Sequence, residues 1–325
     1  MEQVALGTSG RHTTRLGFGC SSLMGATGRR ESLSLLESAF DAGIRHFDVA
    51  PMYGYGEAES CLGEFLQRHR ADVTVTTKYG IPPGKNSPLI GLARRVVGPI
   101  VKALPGIKQK LASVANAAIR TDEKATFTSA QAKASLERSL SELRTDRIDV
   151  WLLHEVEAQD LRDDELLRFL EDQVSQGTVG TFGIGSSGDK VGALVAQRPA
   201  YCRTLQYEWS VLDTLIPSAG HFRIHHRALT GNFHSLHTAL VQNKEICQRW
   251  SAAAKADLSN ADDLAHLMLK ASLVMNPSSV ILFSSKKPQH IQANVKVAGD
   301  ATLDAPARQL YNLVQTEHDS LLLPQ

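Results

Sequence analysis

Four side chains that can exchange protons with a substrate stand in or just after three short apolar segments. Asp48 ends the first segment, Tyr53 follows it by five residues, Lys78 ends the second and His154 ends a third. Tyrosine is a weak acid with a pKa of about 10, but a lysine ammonium beside it is expected to lower that value. An aspartate would keep the lysine charged. This combination predicts proton transfer to or from a substrate oxygen.

The apolar segments themselves are predicted to be β-strands of a parallel sheet. Residues 46–49 suit a half-buried strand, and Pro51 ends it because proline cannot donate a hydrogen bond to a neighbouring strand. Residues 73–78 and 148–154 are predicted to form similar strands. In parallel α/β folds the active site lies at the C-terminal ends of the strands. We therefore expect the four side chains to meet in one cleft.

The whole chain alternates between strand and helix patterns. Eight barrel strands are predicted at residues 16–19, 46–49, 73–78, 148–154, 179–185, 203–207, 222–226 and 279–283. Residues 4–6 and 13–16 are predicted to pair as a β-hairpin ahead of the barrel. We therefore predict one α/β domain over residues 1–325, a (β/α)8 TIM barrel with an N-terminal β-hairpin. The alternative, a doubly wound open sheet, favours a Gly-x-Gly-x-x-Gly turn, and Ser22 replaces its third glycine.

Helix patterns fill the stretches between these strands. Apolar residues recur at helical spacing, as in residues 131–144, where Ala134, Leu136, Leu140 and Leu143 are predicted to face inward. The other predicted helices span residues 30–42, 57–68, 163–176, 235–256, 261–274, 288–298 and 305–317.

One long stretch interrupts this alternation after the third barrel strand. Residues 81–126 are too long for an ordinary strand–helix loop, and they are rich in proline. We interpret them as an insertion that emerges on the face carrying Lys78. Two interpretations stay open, a cover over the substrate or an insertion without a role.

Composition excludes several other classes of protein. Hydrophobic residues make up 42% of the 325 residues, and the formal net charge is +1. A nearly neutral chain has no charge pattern suited to nucleic acid or an anionic membrane, and no apolar run is long enough to cross a bilayer. The four cysteines are far apart in the sequence. We expect a reduced, cytoplasmic protein that is a monomer or a weak oligomer.

The histidines give only weak support for a metal site. His221 and His225 are four residues apart, which is the spacing of paired ligands on a helix. They fall on or beside a predicted strand, where residues four apart lie well separated. No nearby cysteine or carboxylate joins them, and a metal ion needs three or four converging ligands. We therefore predict no metal site.

Six short motifs are spread in order over most of the chain. They are Leu16-Gly17-Phe18-Gly19, the run from Asp41 to Asp48 with Tyr53-Gly54, Thr77-Lys78, Leu152-Leu153-His154, Leu205-Gln206-Tyr207-Glu208 and Gln292-Ala293-Asn294. Each motif is weak alone, but in this order they resemble the aldo-keto reductase family. The resemblance implies a (β/α)8 barrel, and it assigns the family's catalytic tetrad to Asp48, Tyr53, Lys78 and His154.

The resemblance also implies a nicotinamide cofactor, NADP with NAD as the alternative. Ser186 and Gln206 would hold its carboxamide, although the family usually has Ser-Asn where this chain has Gly185-Ser186. His226 would stack on the nicotinamide where the family often has a tyrosine. The pyrophosphate and adenosine would contact Ser284, Ser285, Lys286, His290 and Asn294.

One departure from the family bears on the choice of cofactor. Many NADP-preferring members carry an arginine where this chain has His290, which weakens the case for NADP. Lys286 and Lys287 still supply positive charge for a 2′-phosphate. The alternative is that both lysines belong to a solvated loop.

The predicted function is therefore an NAD(P)-dependent oxidoreductase. It would interconvert aldehydes or ketones and alcohols by hydride transfer, with Tyr53 as the general acid. Its partner would be a small carbonyl compound or sugar. One alternative is an aldose 1-dehydrogenase of the same family, and another is a non-catalytic, cofactor-binding regulatory subunit. A lyase using a Lys78 imine is disfavoured, because an imine needs a neutral amine and Asp48 would keep Lys78 protonated.

Overall fold

The computed structural model describes residues 1–25, 27–83, 126–162, 164–215, 220–230 and 232–322, with side chains up to residue 317. Of the predicted insertion at 81–126, residues 84–125 lie outside the described residues. That residues 1–325 form a single domain stays a prediction.

Eight parallel strands close into a barrel, which confirms the predicted fold. In chain order the ten strands, β1 to β10, are Gln3–Ala5, His12–Thr14, Leu16–Gly19, His46–Asp48, Thr74–Tyr79, Ile148–His154, Val179–Gly185, Thr204–Glu208, Phe222–His226 and Ser279–Phe283. The hairpin strands are β1 and β2, and the barrel is closed in the order β10-β3-β4-β5-β6-β7-β8-β9. Because every pair of neighbouring barrel strands is parallel, all C-terminal strand ends lie on one face.

The N-terminal hairpin is fixed to the barrel by apolar and polar contacts. Leu6 is fully buried among inward-facing barrel residues such as Val150 and Ile224. Arg11 Nε lies 3.2 Å from a carboxylate oxygen of the buried Asp149. These contacts lie far from the C-terminal strand ends, so the hairpin leaves the catalytic face open.

Helices cover the outside of the barrel. Within the described residues they span Arg29–Asp41, Ala58–His69, Ser129–Leu143, Asp164–Ser175, Gly188–Gln197, Asn232–Gln242, Lys244–Ala254, Ala261–Met275, Pro288–Gly299 and Asp304–Leu322. None of the described helices is both long enough and apolar enough to cross a bilayer.

Two helix predictions are wrong in detail. The single helix expected at residues 235–256 is two helices, divided at Asn243, whose side chain accepts a hydrogen bond from the Ile246 amide at 3.1 Å. An asparagine that caps a new helix interrupts the previous one. Ala134 is exposed, because Ala132, Ser135 and Leu136 form the buried face of their helix.

The barrel interior has an apolar side and a polar side. Inward residues of β6, β9 and β10 form an apolar cluster that includes Leu152 and Leu282. On strands β4 and β5, His46 lies between two threonines, with Nδ1 3.0 Å from Thr74 Oγ1 and Nε2 3.2 Å from Thr76 Oγ1. Burial lowers the pKa of His46 to about 4. The neutral imidazole therefore supports the polar wall below Asp48.

Candidate active site

Asp48 and Lys78 form a buried ion pair at the C-terminal ends of adjacent strands. Lys78 Nζ lies 2.6 Å from Asp48 Oδ1 and 3.1 Å from the Val49 carbonyl oxygen. Asp48 is 3% exposed and Lys78 is 2% exposed. Because β4 and β5 are parallel neighbours and both side chains point into the barrel, the two charges meet as the sequence predicted.

The neighbours of Lys78 decide its charge. Burial acts to lower the pKa of Lys78, but the carboxylate of Asp48 and the phenol of Tyr53 act more strongly in the opposite direction. The net pKa is raised above the ordinary value. Lys78 is therefore an ammonium at neutral pH, as predicted.

Tyr53 reaches the pair from a tight turn after β4. The turn Tyr53–Gly56 contains two residues with positive φ, Gly54 at 58° and Tyr55 at 61°. A Cβ on Gly54 would overlap the carbonyl oxygen of Leu23, so only glycine permits the turn to pack this closely. The Lys78 ammonium lies 5.3 Å from the centroid of the Tyr53 ring. The loop thus places the phenol over the ion pair.

The acidity of Tyr53 differs from the sequence-based expectation. Burial raises the pKa of the phenol, and the Lys78 ammonium lowers it by less. The negative charge of Asp48 adds to the upward shift. The expected lowering by Lys78 is present as one contribution, but the prediction of a lowered net pKa is wrong because desolvation outweighs it.

His154 completes the group of four. It ends β6, directly beside Gly185 of β7. Burial lowers its pKa to about 3, and the Lys78 charge acts in the same direction. Within the described residues its Nδ1 is buried without a hydrogen-bond partner. A Cβ on Gly80 would overlap the His154 carbonyl oxygen, so Gly80 permits the close approach of the two strand ends.

The predicted carboxamide ligands have partners inside the protein. Ser186 Oγ donates to the Val156 carbonyl oxygen at 2.7 Å. Gln206 Nε2 donates to Asp48 Oδ2 at 2.6 Å. Both residues are buried, Ser186 directly after β7 and Gln206 within β8.

His226 also lies in this group, at the C-terminal end of β9. It is half-buried beside Glu208 of β8. Burial lowers the pKa of His226 to about 4, although the nearby charge of Asp48 opposes this. The imidazole is therefore neutral at pH 7 and can present a flat, uncharged ring.

A second group of predicted cofactor residues lines a surface pocket next to the last barrel strand. The pocket holds about 330 Å³. Its lining residues are Ser22, Ser284, Ser285, Lys286, Lys287 and His290. They surround the N-terminus of the helix Pro288–Gly299, an end that favours anions. Asn294 lies half-buried farther along the same helix.

Two residues near the site were missed. Ser22 lines the pocket. The only sequence feature that could have indicated it is its position at the third glycine of a Gly-x-Gly-x-x-Gly turn. Cys20 is fully buried directly after β3, and burial with the Asp48 charge raises its pKa well above the ordinary value. Its position after a predicted strand end could have indicated it.

The described histidines do not cluster with other side chains that could bind a metal ion. Among the described residues, no three His, Cys, Asp or Glu side chains form a group that could hold a metal ion. His225 is buried on the outer side of β9, where its ring lies 4.7 Å from that of Tyr207.

Sequence comparison connects this geometry to known proteins. The model of the aldo/keto reductase family matches residues 15–223. Pyridoxal 4-dehydrogenase of Microbacterium luteolum is 43% identical over 82 residues, 24% of each chain. D-threo-aldose 1-dehydrogenase of a Pseudomonas species is 33% identical over 189 residues, 56% of this chain and 53% of that protein. The chain thus matches about a quarter to a half of the length of these two relatives.

Structural comparison gives the same barrel. The holo form of aldo-keto reductase AKR11C1 from Bacillus halodurans superposes with a TM-score of 0.68 at 19% identity, over 95% of this chain and 96% of that chain. An aldo-keto reductase from Klebsiella pneumoniae in complex with NADPH gives a TM-score of 0.62 at 18% identity, over 96% and 95%. At these identities the likeness shows the fold. Together with the family model, which covers more than half of the sequence, it establishes that the chain belongs to the aldo/keto reductase family, a family of oxidoreductases.

Proposed function

We propose that this protein is an NADP-linked oxidoreductase that interconverts a small carbonyl compound and its alcohol, with Tyr53 transferring the proton. One observation carries the proposal, the buried Asp48–Lys78 pair beneath the Tyr53 ring at the catalytic face of the barrel. A protein that only binds a ligand has no need to bury a lysine against an aspartate, since burying two charges is costly.

The four residues have distinct roles in this proposal. Tyr53 donates its proton to the carbonyl oxygen during reduction and accepts it during oxidation. Lys78 offsets the burial that keeps the phenol protonated, because its charge favours the phenolate. Asp48 keeps Lys78 charged and in place. His154 is neutral and at the rim, where one ring N–H can donate to the substrate oxygen.

The residues present fit a nicotinamide dinucleotide. When bound, this cofactor supplies or accepts a hydride. Lys286, Lys287 and the N-terminus of the helix Pro288–Gly299 provide cationic and N–H groups for phosphates. His226 offers a neutral ring at the position expected for the nicotinamide. NADP is favoured over NAD because the pocket holds two lysines and because related structures contain NADP or NADPH.

The test is a nicotinamide absorbance assay against a panel of aldehydes and ketones, run with NADPH and with NADH. We expect turnover of at least one carbonyl class, faster with NADPH at equal concentrations. Tight cofactor binding without turnover of any substrate, in either direction, would instead support the regulatory-subunit alternative.

A second candidate function is the oxidation of an aldose at its first carbon. It is favoured by relatives whose names include D-threo-aldose 1-dehydrogenase and L-galactose dehydrogenase, the latter from Arabidopsis thaliana and 36% identical over 86 residues, 25% of this chain and 27% of that protein. The same four side chains serve this reaction with Tyr53 as the base. Adding aldoses with NADP and NAD to the panel separates the two candidates, because only the dehydrogenase would oxidise sugars faster than it reduces simple carbonyls.

A further inference from the structure

Gln206 contacts the acid of the buried ion pair. Its Nε2 lies 2.6 Å from Asp48 Oδ2, while Lys78 Nζ lies 2.6 Å from Asp48 Oδ1. An ionised carboxylate only accepts hydrogen bonds, so the contacting atom of the amide must be its nitrogen donor. The two oxygens of Asp48 are therefore held by two different side chains.

This contact crosses the interior of the barrel. Asp48 belongs to β4 and Gln206 to β8, and these strands stand opposite each other in the closed order of eight. Both side chains are almost fully shielded from water, at 3% and 2% exposure. A hydrogen bond to a charged group is strong when water is excluded. A bond between opposite walls fixes the carboxylate relative to the whole barrel.

We propose that Gln206 is a positioning residue for the Asp48–Lys78 pair. Its amide fixes the rotation of the Asp48 carboxylate so that Oδ1 faces Lys78, and Lys78 in turn stays beneath Tyr53. This inference rests on the proposed function, in which Tyr53 transfers the proton. A primary amide has a second N–H and an oxygen, so contact with Asp48 leaves capacity for the carboxamide role implied by the family resemblance.

A double-mutant cycle tests the proposal through activity. The variants are Gln206→Leu, Asp48→Ala and the combination of both, and kcat is measured with the best carbonyl substrate. We expect Gln206→Leu alone to lower kcat about tenfold or more, as for the loss of a hydrogen bond to a charged group. In the Asp48→Ala background the same change should cost less than about threefold, because the acceptor is already gone. Equal factors in both backgrounds would overturn the proposal.

The same cycle is measured on urea unfolding of the cofactor-free protein, which needs no activity. We expect the effects of Gln206→Leu and Asp48→Ala on the free energy of unfolding to be non-additive. Additive effects would overturn the inference, even if the proposed function holds. If the effects on the free energy of unfolding are non-additive but no substrate is turned over, the proposed function is contradicted. The result would then support the hydrogen bond between Gln206 and Asp48 but no role in catalysis.

Ser186→Ala serves as the matched control. Ser186 is also expected near the cofactor carboxamide, but its hydroxyl bonds to the Val156 carbonyl and not to Asp48. Its effects on kcat and on unfolding should be additive with those of Asp48→Ala. The same non-additivity for Ser186→Ala would indicate general loosening of the site, and the proposal would fail.

A pH profile separates positioning from packing. Gln206→Glu introduces a carboxyl group that can donate to Asp48 only while it is protonated. The ratio of the variant's kcat to that of the wild type should therefore rise as pH falls. The other ionisable groups that interact with this pair are present in both proteins; they are Cys20, His46, Tyr53, His154 and His226. A ratio that does not change with pH and is as low as that of Gln206→Leu would overturn the proposal, because the carboxyl group would then never replace the amide donor.

Discussion

Lys78 lies 2.6 Å from Asp48 inside the barrel, and each belongs to a different strand. Removing two charges from water is unfavourable, and mutual attraction offsets that cost only with good geometry and further hydrogen bonds. Both conditions are met here, since the Val49 carbonyl binds Lys78 and the Gln206 amide binds Asp48. Replacing a buried ion pair with well-packed apolar residues is often neutral or stabilising, which supports the catalytic role proposed for the pair.

Tyr53→Phe should remove carbonyl reduction and keep the fold. The variant loses only the hydroxyl, and loss of a general acid lowers turnover by about a hundredfold or more. Steady-state kcat, NADPH binding by fluorescence quenching and circular dichroism would be measured together. Turnover close to wild type with intact cofactor binding would show that another group delivers the proton.

Lys78→Met should lose both activity and stability. It leaves the buried Asp48 without its cation, and breaking one side of a buried pair costs about 3–5 kcal/mol. The control is Lys190→Met, which removes a half-exposed ion pair to Glu157 at 2.9 Å and should cost less than about 1 kcal/mol. Urea unfolding at pH 7 measures the free energy of unfolding of both variants. Equal losses in the two variants would contradict the buried-pair interpretation.

Gly80→Ala should lower kcat by displacing His154. The added methyl group would overlap the His154 carbonyl oxygen, and Gly80 has a φ of +142° that other residues rarely adopt. Gly192→Ala is the control, because a Cβ there meets no atom within 4 Å, and in a helix it should stabilise by up to about 1 kcal/mol. A Gly80→Ala enzyme with unchanged kcat would show that the strand ends can separate without effect on the site.

Lys286→Ala should weaken NADPH binding more than NADH binding. Only NADPH carries the 2′-phosphate, and loss of a charged hydrogen bond costs about 1.5–3 kcal/mol, roughly tenfold or more in Kd. Lys296→Ala changes a lysine in the last turn of the helix Pro288–Gly299, which follows Lys286, and should affect neither cofactor. Fluorescence titration of the wild type and of both variants gives the dissociation constants for each cofactor. If Lys286→Ala weakens both cofactors equally or neither, Lys286 does not recognise the 2′-phosphate.

His225→Phe should make the protein less sensitive to acid. Burial lowers the pKa of His225 to about 3 in the folded state, below the unfolded value of about 6.5. Such a group contributes stability above pH 6.5 that is lost as pH falls through the window from 6.5 to 3. Between pH 7 and pH 5 this residue alone accounts for a loss of about 2 kcal/mol. We expect urea unfolding to show a smaller difference between these two pH values in the variant, and an equal difference would mean that folding does not lower the pKa of His225.

The barrel could be predicted from the sequence because buried parallel strands are short apolar runs bounded by glycine and proline. Five of the eight predicted barrel strands have the observed bounds, including Ile148–His154 and Val179–Gly185. The same logic located Asp48, Lys78 and His154, since a residue that ends a strand in a parallel barrel must lie on the catalytic face. Helix caps were harder to predict, and Asn243 was not recognised as the residue that caps a new helix.

The sequence alone determined that Asp48, Lys78 and His154 reach the catalytic face, because strand ends and periodicity are local properties of the chain. Tertiary structure decided the pKa values and the hydrogen-bond partners of these side chains. The net pKa of Tyr53 is raised because desolvation, which depends on everything packed around the phenol, exceeds the effect of Lys78. The bond from Gln206 to Asp48 exists because closure of the barrel brings together two strands that are 158 residues apart in sequence.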